Sequence, residues 1–383
     1  MRILLVTQRF RPLIGGAESV LGEMARELVR QRHEVTVLTA KWENGWLDEE
    51  QVDDVRIVRV PQPTLRFWGT SRFMRLMKQW LLKHGREFNV WYVSMLKHCA
   101  WVAIGAGWRL RLPVVLRPEG SGATGDVAWQ DRAWFGRLIR RRCRLAAAVV
   151  ALSSHIREEL RLVGFSADRI RDIPNGVRVP ELGDDLDRLA WRQRLGLEPT
   201  APHAVFVGRL SPEKGLDVLV KAWRRVTAEL PDARLVVVGS GPQEAELRKL
   251  ASDQPTIIWA GETREPSRFL RAADLFVLPS HEEGMSIALL EAMAHALPIV
   301  ATDIPGNRQL IESGRHGLLV PSNKPETLAR SVLVQLQART LAAAMGRAAR
   351  ERAEEKYSIS LMVRRHVELF ESLASPNKES KQD

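Results

Sequence analysis

Three sets of residues have types and spacings that suit sugar and phosphate chemistry. Glu283 and Glu291 stand eight positions apart on either side of a turn. An ionised carboxylate only accepts hydrogen bonds, on two oxygens, so each could hold the vicinal hydroxyls of a sugar ring or a ribose. Gly284, just after Glu283, lets a backbone approach a ligand closely. The amides of Gly284, Met285 and Ser286 are expected as unpaired first-turn donors at the positive end of a helix, an arrangement that favours phosphate. The second set is Arg209 and Lys214, two cations on one loop that could grip a diphosphate from two sides. The third is the pair Gly15-Gly16 with Glu18 beside it, since paired glycines can bring amides against a phosphate. Each set has a plainer reading: helix-end charges for the glutamates, surface charges for the cations, a tight turn for the glycines.

The surrounding elements bear on that choice. Leu275 to Leu278 is an apolar strand pattern closed by Pro279-Ser280, and a helical pattern runs from about Ser286 to Ala296. Leu297-Pro298 stops that helix, and Ile299 to Thr302 reads as the next buried strand. This is one βαβ unit with Glu283 and Gly284 at the C-terminal end of its first strand, where open α/β sheets place ligands. The same logic recurs. A strand at Ala204 to Val207 precedes the Arg209–Lys214 loop, the helix Leu216 to Glu229 and the strand Leu235 to Val238. At the start of the chain, a strand from Arg2 to Thr7 precedes the glycine pair, a helix from about Ser19 to Gln31 and the strand Glu34 to Thr39. Leu112 to Arg117 is a further strand, followed by a glycine-rich loop that opens with Glu119.

At 383 residues, 45% hydrophobic and 27% charged, the chain suits two soluble domains, each with its own core. Its two cysteines, Cys99 and Cys143, offer neither a disulfide framework nor metal-ligand spacing. The first apolar run is too short for a signal peptide, and no run approaches the length of a membrane span, so a cytoplasmic protein is expected. The net charge of +11 is unevenly spread. Residues 1–180 carry 30 Lys and Arg against 18 Asp and Glu, whereas the remainder is nearly neutral. A basic first half points to an anionic partner: a membrane surface, a phosphorylated acceptor or nucleic acid.

Several motifs carry a family resemblance. Glu283 to Pro298 matches the EG(F/M)xxxxLEAMAxxxP pattern of the family 4 retaining glycosyltransferases, including the E-x7-E pair Glu283 and Glu291. Gly208-Arg209-Leu210 with Lys214-Gly215 resembles the diphosphate loop of that family, and Gly239 to Pro242 its VVGxGP turn. Gly15, Gly16 and Glu18 are similar to its N-terminal GGxE loop, and Ile173 to Val177 to its IPNGV segment. The resemblance implies the GT-B fold, two Rossmann-like, doubly wound α/β domains facing each other across a cleft. It implies an acceptor-binding domain over residues 1–180, with a C-terminal helix near 359–373 packing back onto it, and a donor-binding domain over 190–356. The boundary is expected in the polar stretch Glu181 to Arg188, and the tail from Ser375 is expected to be disordered.

The resemblance also implies roles. Glu283 would contact the donor sugar and Glu291 the ribose of its nucleotide. Arg209 and Lys214, with the helix end after Gly284, would stabilise the departing diphosphate, and Gly16 would lie beside the donor phosphate. Gly15, Glu18 and Glu119 would line the acceptor side. Family members commonly carry a histidine at the position of Glu119, so its role stays open: sugar ligand, acceptor ligand or neither. The implied reaction is hexosyl transfer from a UDP- or GDP-sugar with retention, a leaving phosphate oxygen deprotonating the acceptor on the same face. No metal and no further cofactor is expected, since no D-x-D motif stands out.

The acceptor is expected to be a saccharide or lipid-linked molecule in cell-surface polysaccharide or glycolipid assembly. Leu65 to Arg86 holds six Lys and Arg and no acid, and Ser71 to Lys83 within it is amphipathic: Phe73, Met74, Leu76, Met77, Trp80 and Leu81 on one side, Arg72, Arg75, Lys78 and Lys83 on the other. It reads either as a core-facing helix with a solvated basic face or as a helix lying on anionic lipid, a peripheral contact at the inner membrane leaflet. Arg137, Arg140, Arg141, Arg142 and Arg144 form a second basic cluster. Two rivals remain: another GT-B enzyme, such as an epimerase or phosphorylase, and a nucleic-acid-binding protein. No nucleic-acid recognition motif supports the latter.

Overall fold

The computed structural model describes residues 1–62 and 68–374. The start of the acid-free basic segment, Leu65 to Phe67, and the polar tail from Ser375 lie outside the described residues. The chain divides into two compact units. The first comprises Met1–Asn175 with Ile359–Asp383, the second Gly176–Ser358.

The first unit is built on β1 (Arg2–Val6), α1 (Gly16–Arg30), β2 (Glu34–Lys41), β3 (Glu49–Val52), β4 (Val55–Pro61), α2 (Trp68–His84) and β5 (Val90–Ser94). It continues through α3 (His98–Leu110), β6 (Val114–Arg117), α4 (Asp126–Arg132), α5 (Gly136–Cys143), β7 (Ala148–Ala151), α6 (Ser154–Leu162) and β8 (Ile170–Asp172). Its sheet has the order β3-β4-β2-β1-β5-β6-β7-β8, parallel except for β3, which pairs antiparallel with β4. Ile3, Leu4, Leu5 and Val6 are buried together, as are Val114, Val115 and Leu116. A parallel strand covered by helices on both faces must be apolar on both sides, which is why these read as unbroken apolar runs. The order reverses between β1 and β5. The loops after those two strands therefore frame the crevice where such sheets bind ligands.

The second unit runs through α7 (Asp185–Arg194), β9 (His203–Val207), α8 (Leu216–Glu229), β10 (Arg234–Val238), α9 (Glu244–Leu250), β11 (Ile257–Gly261) and α10 (Ser267–Ala272). Then come β12 (Leu275–Leu278), α11 (Ile287–Ala294), β13 (Ile299–Thr302), α12 (Pro305–Leu310), β14 (Leu318–Val320), α13 (Pro325–Gln337) and α14 (Arg339–Tyr357). Its sheet, β11-β10-β9-β12-β13-β14, is wholly parallel, and its order reverses between β9 and β12. The Arg209–Lys214 loop follows β9 and the Glu283 turn follows β12, so the reversal brings the two together.

The last helix, α15 (Ile359–Ala374), belongs to the first unit and packs on α1. Its buried His366 approaches the Tyr92 hydroxyl of β5 at 3.1 Å, while the ring Nδ1 lies 2.8 Å from the Met362 carbonyl. A carbonyl only accepts, so Nδ1 carries the proton and Nε2 accepts from Tyr92. Burial pushes the His366 pKa down to about 4, so the ring is neutral.

The chain leaves the first unit after Asn175, before the expected boundary at Glu181 to Arg188. Part of that stretch is α7, whose N-cap Asp184 accepts from the Asp187 amide, and whose Arg192 pairs with Asp274 at 2.6 Å and donates to the Ala272 carbonyl. Polarity there reflects a capped helix docked on α10, not a linker. Between β3 and β4, Asp53 and Asp54 both take positive φ, the conformation of a two-residue hairpin turn.

Candidate active site

In the second unit the turns after β9 and β12 are laced together. The Lys214 ammonium donates to Glu283 Oε1 at 2.7 Å, and Ser280 Oγ donates to the same oxygen at 2.8 Å. The His281 amide donates to the Glu213 carbonyl at 2.8 Å. Gly215 sits between the turns at φ 61°, where an added Cβ would meet the Pro279 carbonyl oxygen at 2.3 Å, so only glycine fits. The turn after β10 closes the other flank. Gly239 has φ 135°, and a Cβ there would come 1.9 Å from the Gly208 carbonyl oxygen. From the far side, the N-terminus of α12 abuts the Glu283 backbone, with the Gly306 Cα facing the Glu283 carbonyl.

The charges of this crevice are arranged unequally. Lys214 and Glu283 form a largely buried pair, their side chains 22% and 8% exposed. An ammonium has three donors, so Lys214 can keep Glu283 and still reach a phosphate. Arg209 is exposed and makes no side-chain hydrogen bond or ion pair among the described residues. Its cation is uncompensated, as a site for an anionic ligand requires. Helix α11 begins at Ile287 with Ser286 as its cap, the Ser286 hydroxyl accepting from the Leu289 amide at 3.3 Å. Glu291 is half-buried on the second turn of α11.

In the first unit the loops after β1, β5 and β6 hold a second polar cluster. Glu18, in the first turn of α1, accepts from Arg9 Nε at 3.0 Å, and its carboxylate fills the space beside the Gly15 Cα. Glu119 Oε1 accepts from Ser94 Oγ at 2.5 Å and from Arg117 at 2.8 Å. Arg117 is itself buried and also donates to Asn175 Oδ1 at 2.6 Å. Burial raises the Glu119 pKa, against the opposing pull of Arg117 and the Ser94 hydroxyl. Asp126, at the start of α4, accepts from the Leu96 amide at 3.1 Å and the Glu119 amide at 2.7 Å, tying the β5 loop to the β6 loop. Its pKa is raised by burial as well, with Lys97 and these amides working against the shift.

Comparison with known proteins decides the family. A model described as "Glycosyltransferase Family 4" matches residues 14–179, and one described as "Glycosyl transferases group 1" matches 201–338. The GDP-mannose-dependent alpha-(1-6)-phosphatidylinositol monomannoside mannosyltransferase of Mycobacterium tuberculosis is 31% identical over 91% of this chain and 93% of its own. The chain belongs to glycosyltransferase family 4. The GDP-mannose-dependent monoacylated alpha-(1-6)-phosphatidylinositol monomannoside mannosyltransferase of Corynebacterium glutamicum is 28% identical over 97% of this chain and 98% of its own. Among solved structures, Anabaena HepE in complex with UDP and glucose superposes with a TM-score of 0.81 at 20% identity, covering 97% and 99% of the two chains. That last likeness is one of fold, two parallel-sheet α/β domains of the GT-B class.

Within this glycosyltransferase, Arg209, Lys214, Glu283, Gly284, Met285 and Ser286 lie in the two turns of the β9/β12 crevice, and Glu291 lies on the helix that follows. Gly15, Gly16, Glu18 and Glu119 lie in the first unit. Two expectations change, and one contact was not foreseen. Gly284, Met285 and Ser286 precede α11 rather than forming its first turn, because the Ser286 side chain caps the helix. Helix α1 begins at Gly16, not Ser19, so Gly16 and Glu18 are first-turn residues. Lys214 is not a free cation, since its partner is the glutamate expected on the donor sugar. Ser94, Asp126 and the buried Arg117–Asn175 pair had no assigned role in the sequence. An acid ahead of a helical pattern was the signal for Asp126, and Ser94 and Arg117 end ordinary strand patterns with no signal at all. Among the described residues, no group of three or more His, Cys, Asp or Glu is placed to hold a metal ion.

Proposed function

We propose that this glycosyltransferase moves mannose from GDP-mannose to an anionic glycolipid acceptor with retention at the anomeric carbon. The observation that carries the reading is the β9/β12 crevice. There the exposed Arg209 and the Lys214–Glu283 pair put two cations and a carboxylate at the switch point of one parallel sheet. The relatives named for GDP-mannose and phosphatidylinositol mannosides support the choice of donor and acceptor class. So does the surplus of cations in the first 180 residues.

In this reading Arg209 and Lys214 take the diphosphate and stabilise the charge that grows on it as the glycosidic bond breaks. Glu283, oriented by Lys214 and Ser280, accepts from hydroxyls of the donor sugar, and Glu291 from the ribose. The leaving phosphate oxygen takes the acceptor proton on the same face, so the new bond keeps the anomeric configuration. Arg209 and Lys214 carry the work that a divalent ion would otherwise do. The acceptor is assigned to the first unit, near Glu18 and Glu119, and peripheral attachment at the cytoplasmic membrane face belongs to the same reading.

The test is a panel of GDP-mannose, UDP-glucose and ADP-glucose, read by thermal shift and by slow hydrolysis. Transfer to a phosphatidylinositol mannoside follows, with the anomeric coupling of the product measured by NMR. Stabilisation and turnover restricted to GDP-mannose, with an α-linked product, are expected. Preference for another nucleotide, or a β-linked product, overturns the donor or the retention respectively.

A further inference from the structure

The amphipathic segment Ser71 to Lys83 invites a lipid-surface reading, but its apolar side is largely covered. On α2, Phe73, Met77 and Leu81 are buried in the first unit and Met74, Leu76 and Trp80 are half-buried, while the basic residues Arg72, Arg75, Lys78 and Lys83 are exposed. The next helix layer behaves in the opposite way. Helix α3 packs on both α2 and α5, and the segment leading into and along α5 leaves large apolar residues uncovered. Trp134 is 90% exposed and Phe135 59%, their rings 4.7 Å apart, and Leu138 and Leu145 are more than half exposed.

This segment is anchored, not loose. Ile139 and Cys143 bury one side of α5. Arg140 donates to Gln130 Oε1 at 3.0 Å, to the Val127 carbonyl at 3.1 Å and to Asp131 at 2.5 Å. The Arg142 guanidinium stacks on Trp101, 3.3 Å from the ring centroid. The two arginines that lean inward thus hold α5 on α3 and α4. The outward side is left with Arg137, Leu138, Arg141, Arg144 and Leu145. No Asp or Glu occurs from Arg132 to Arg157, and the preceding acid, Asp131, is committed to Arg140. Exposed cations and exposed large apolar groups therefore alternate on one rigid surface with no anion among them.

We propose that this surface, Trp134-Phe135 and the outward side of α5, docks on a lipid bilayer containing anionic headgroups. The arginines meet the headgroups while the tryptophan and phenylalanine enter the interfacial layer, where aromatic rings with an amphipathic character settle. A protein partner in the form of a second copy is disfavoured, since a two-fold contact through this patch would set Arg137 and Arg141 against like charge. Single-stranded nucleic acid could stack on Trp134 and Phe135. Leu138 and Leu145 stack on no base, and acyl chains accept them, which favours lipid. The inference rests on the proposed glycolipid acceptor for its purpose, but its test does not, because it reads vesicles alone.

The experiment is co-sedimentation of the full chain with phosphatidylcholine vesicles, with and without phosphatidylglycerol, between 0.1 M and 1 M salt. Over that range the screening length falls from about 10 Å to about 3 Å. The wild type is expected to pellet with the anionic vesicles only, and less as salt rises. Trp134→Ala with Phe135→Ala should cut the partition coefficient about tenfold or more, the loss of two buried aromatic groups. Arg137→Glu with Arg141→Glu should abolish binding, and Arg137→Lys with Arg141→Lys should retain it. All three variants should keep the wild-type thermal shift with GDP-mannose, which separates lost docking from a lost fold. Absence of donor binding in the wild type would instead count against the proposed function. Equal pelleting with both vesicle types, or wild-type pelleting by both the Ala and the Glu variants, overturns the proposal. So does an oligonucleotide that binds more tightly than vesicles and is lost in the same variants, or a dimer in sedimentation velocity that these substitutions dissolve.

Discussion

Removing the Lys214 side chain should separate the two roles that the β9/β12 crevice gives it. In the folded protein its ammonium lies 2.7 Å from Glu283 Oε1, and Glu283 is 8% exposed. Lys214→Ala leaves that carboxylate with the Ser280 hydroxyl as its remaining side-chain donor among the described residues. Breaking a fully buried pair costs about 3–5 kcal/mol. Lys214 retains some contact with water, so about 2 kcal/mol is expected here. For a domain of this size each kcal/mol moves the midpoint by about 2–4 °C, which predicts a fall of about 4–8 °C. The catalytic loss should be larger, about 10²-fold or more in kcat, because in the proposed reaction the same cation meets charge that grows in the transition state. Arg209 offers the contrast. It is exposed and unpaired among the described residues, so Arg209→Ala should lower kcat by a similar factor while moving stability by no more than about 0.5 kcal/mol.

The assay is differential scanning calorimetry beside initial rates at saturating GDP-mannose, for both single variants and for Lys214→Met with Glu283→Gln. The double variant replaces a charged pair by neutral groups of similar size, so it should recover most of the lost stability and none of the lost rate. An unchanged midpoint in Lys214→Ala would show that the ion pair contributes nothing in solution. Near-wild-type rates in both Arg209→Ala and Lys214→Ala would remove the diphosphate assignment.

The buried His366 should make folding acid-sensitive. Its folded pKa of about 4 lies below the ordinary 6.5, so the unfolded chain takes up the proton first. Its stabilising effect is then complete above about pH 6.5 and is lost as pH falls toward 4, by about 3 kcal/mol at most. Urea midpoints at pH 7 and pH 4.5 should converge for His366→Phe relative to the wild type, and equal slopes in the two proteins would refute this. Glu119→Ala leaves the buried Arg117 guanidinium with Asn175 as its remaining side-chain partner and should cost about 3 kcal/mol or more in urea unfolding. A cost under about 1 kcal/mol would make Glu119 a ligand group and not a structural one. Glu291→Gln should weaken GDP binding by the roughly 1.5–3 kcal/mol of a charged hydrogen bond, measured by titration calorimetry, and wild-type affinity would end its ribose role.

The βαβ units around the crevice and the family resemblance were legible in the sequence, because both are written in local order. A short apolar run such as Leu275–Leu278, closed by Pro279, reads as a strand buried on both faces. Arg209, Lys214, Glu283 and Glu291 stand at fixed offsets from strand ends, whereas the need for glycine at 215 and 239 shows only in the fold, through positive φ and the carbonyls they face. Which of these groups meet could not be read locally. The Lys214–Glu283 pair joins positions 69 residues apart and exists because the sheet order reverses between β9 and β12. The Arg117–Glu119–Ser94 cluster, the tie of Asp126 to two loops, and the return of His366 to Tyr92 across 274 residues are likewise products of packing. The same holds for the basic surface. Helical periodicity shows that α2 has two sides, while α5 showed in the sequence only as a cluster of arginines. Only the tertiary contacts decide that the apolar side of α2 is largely covered, while α5 turns arginines inward as anchors and leaves leucines in water. Burial is a property of the neighbours a residue acquires, and those neighbours come from elsewhere in the chain.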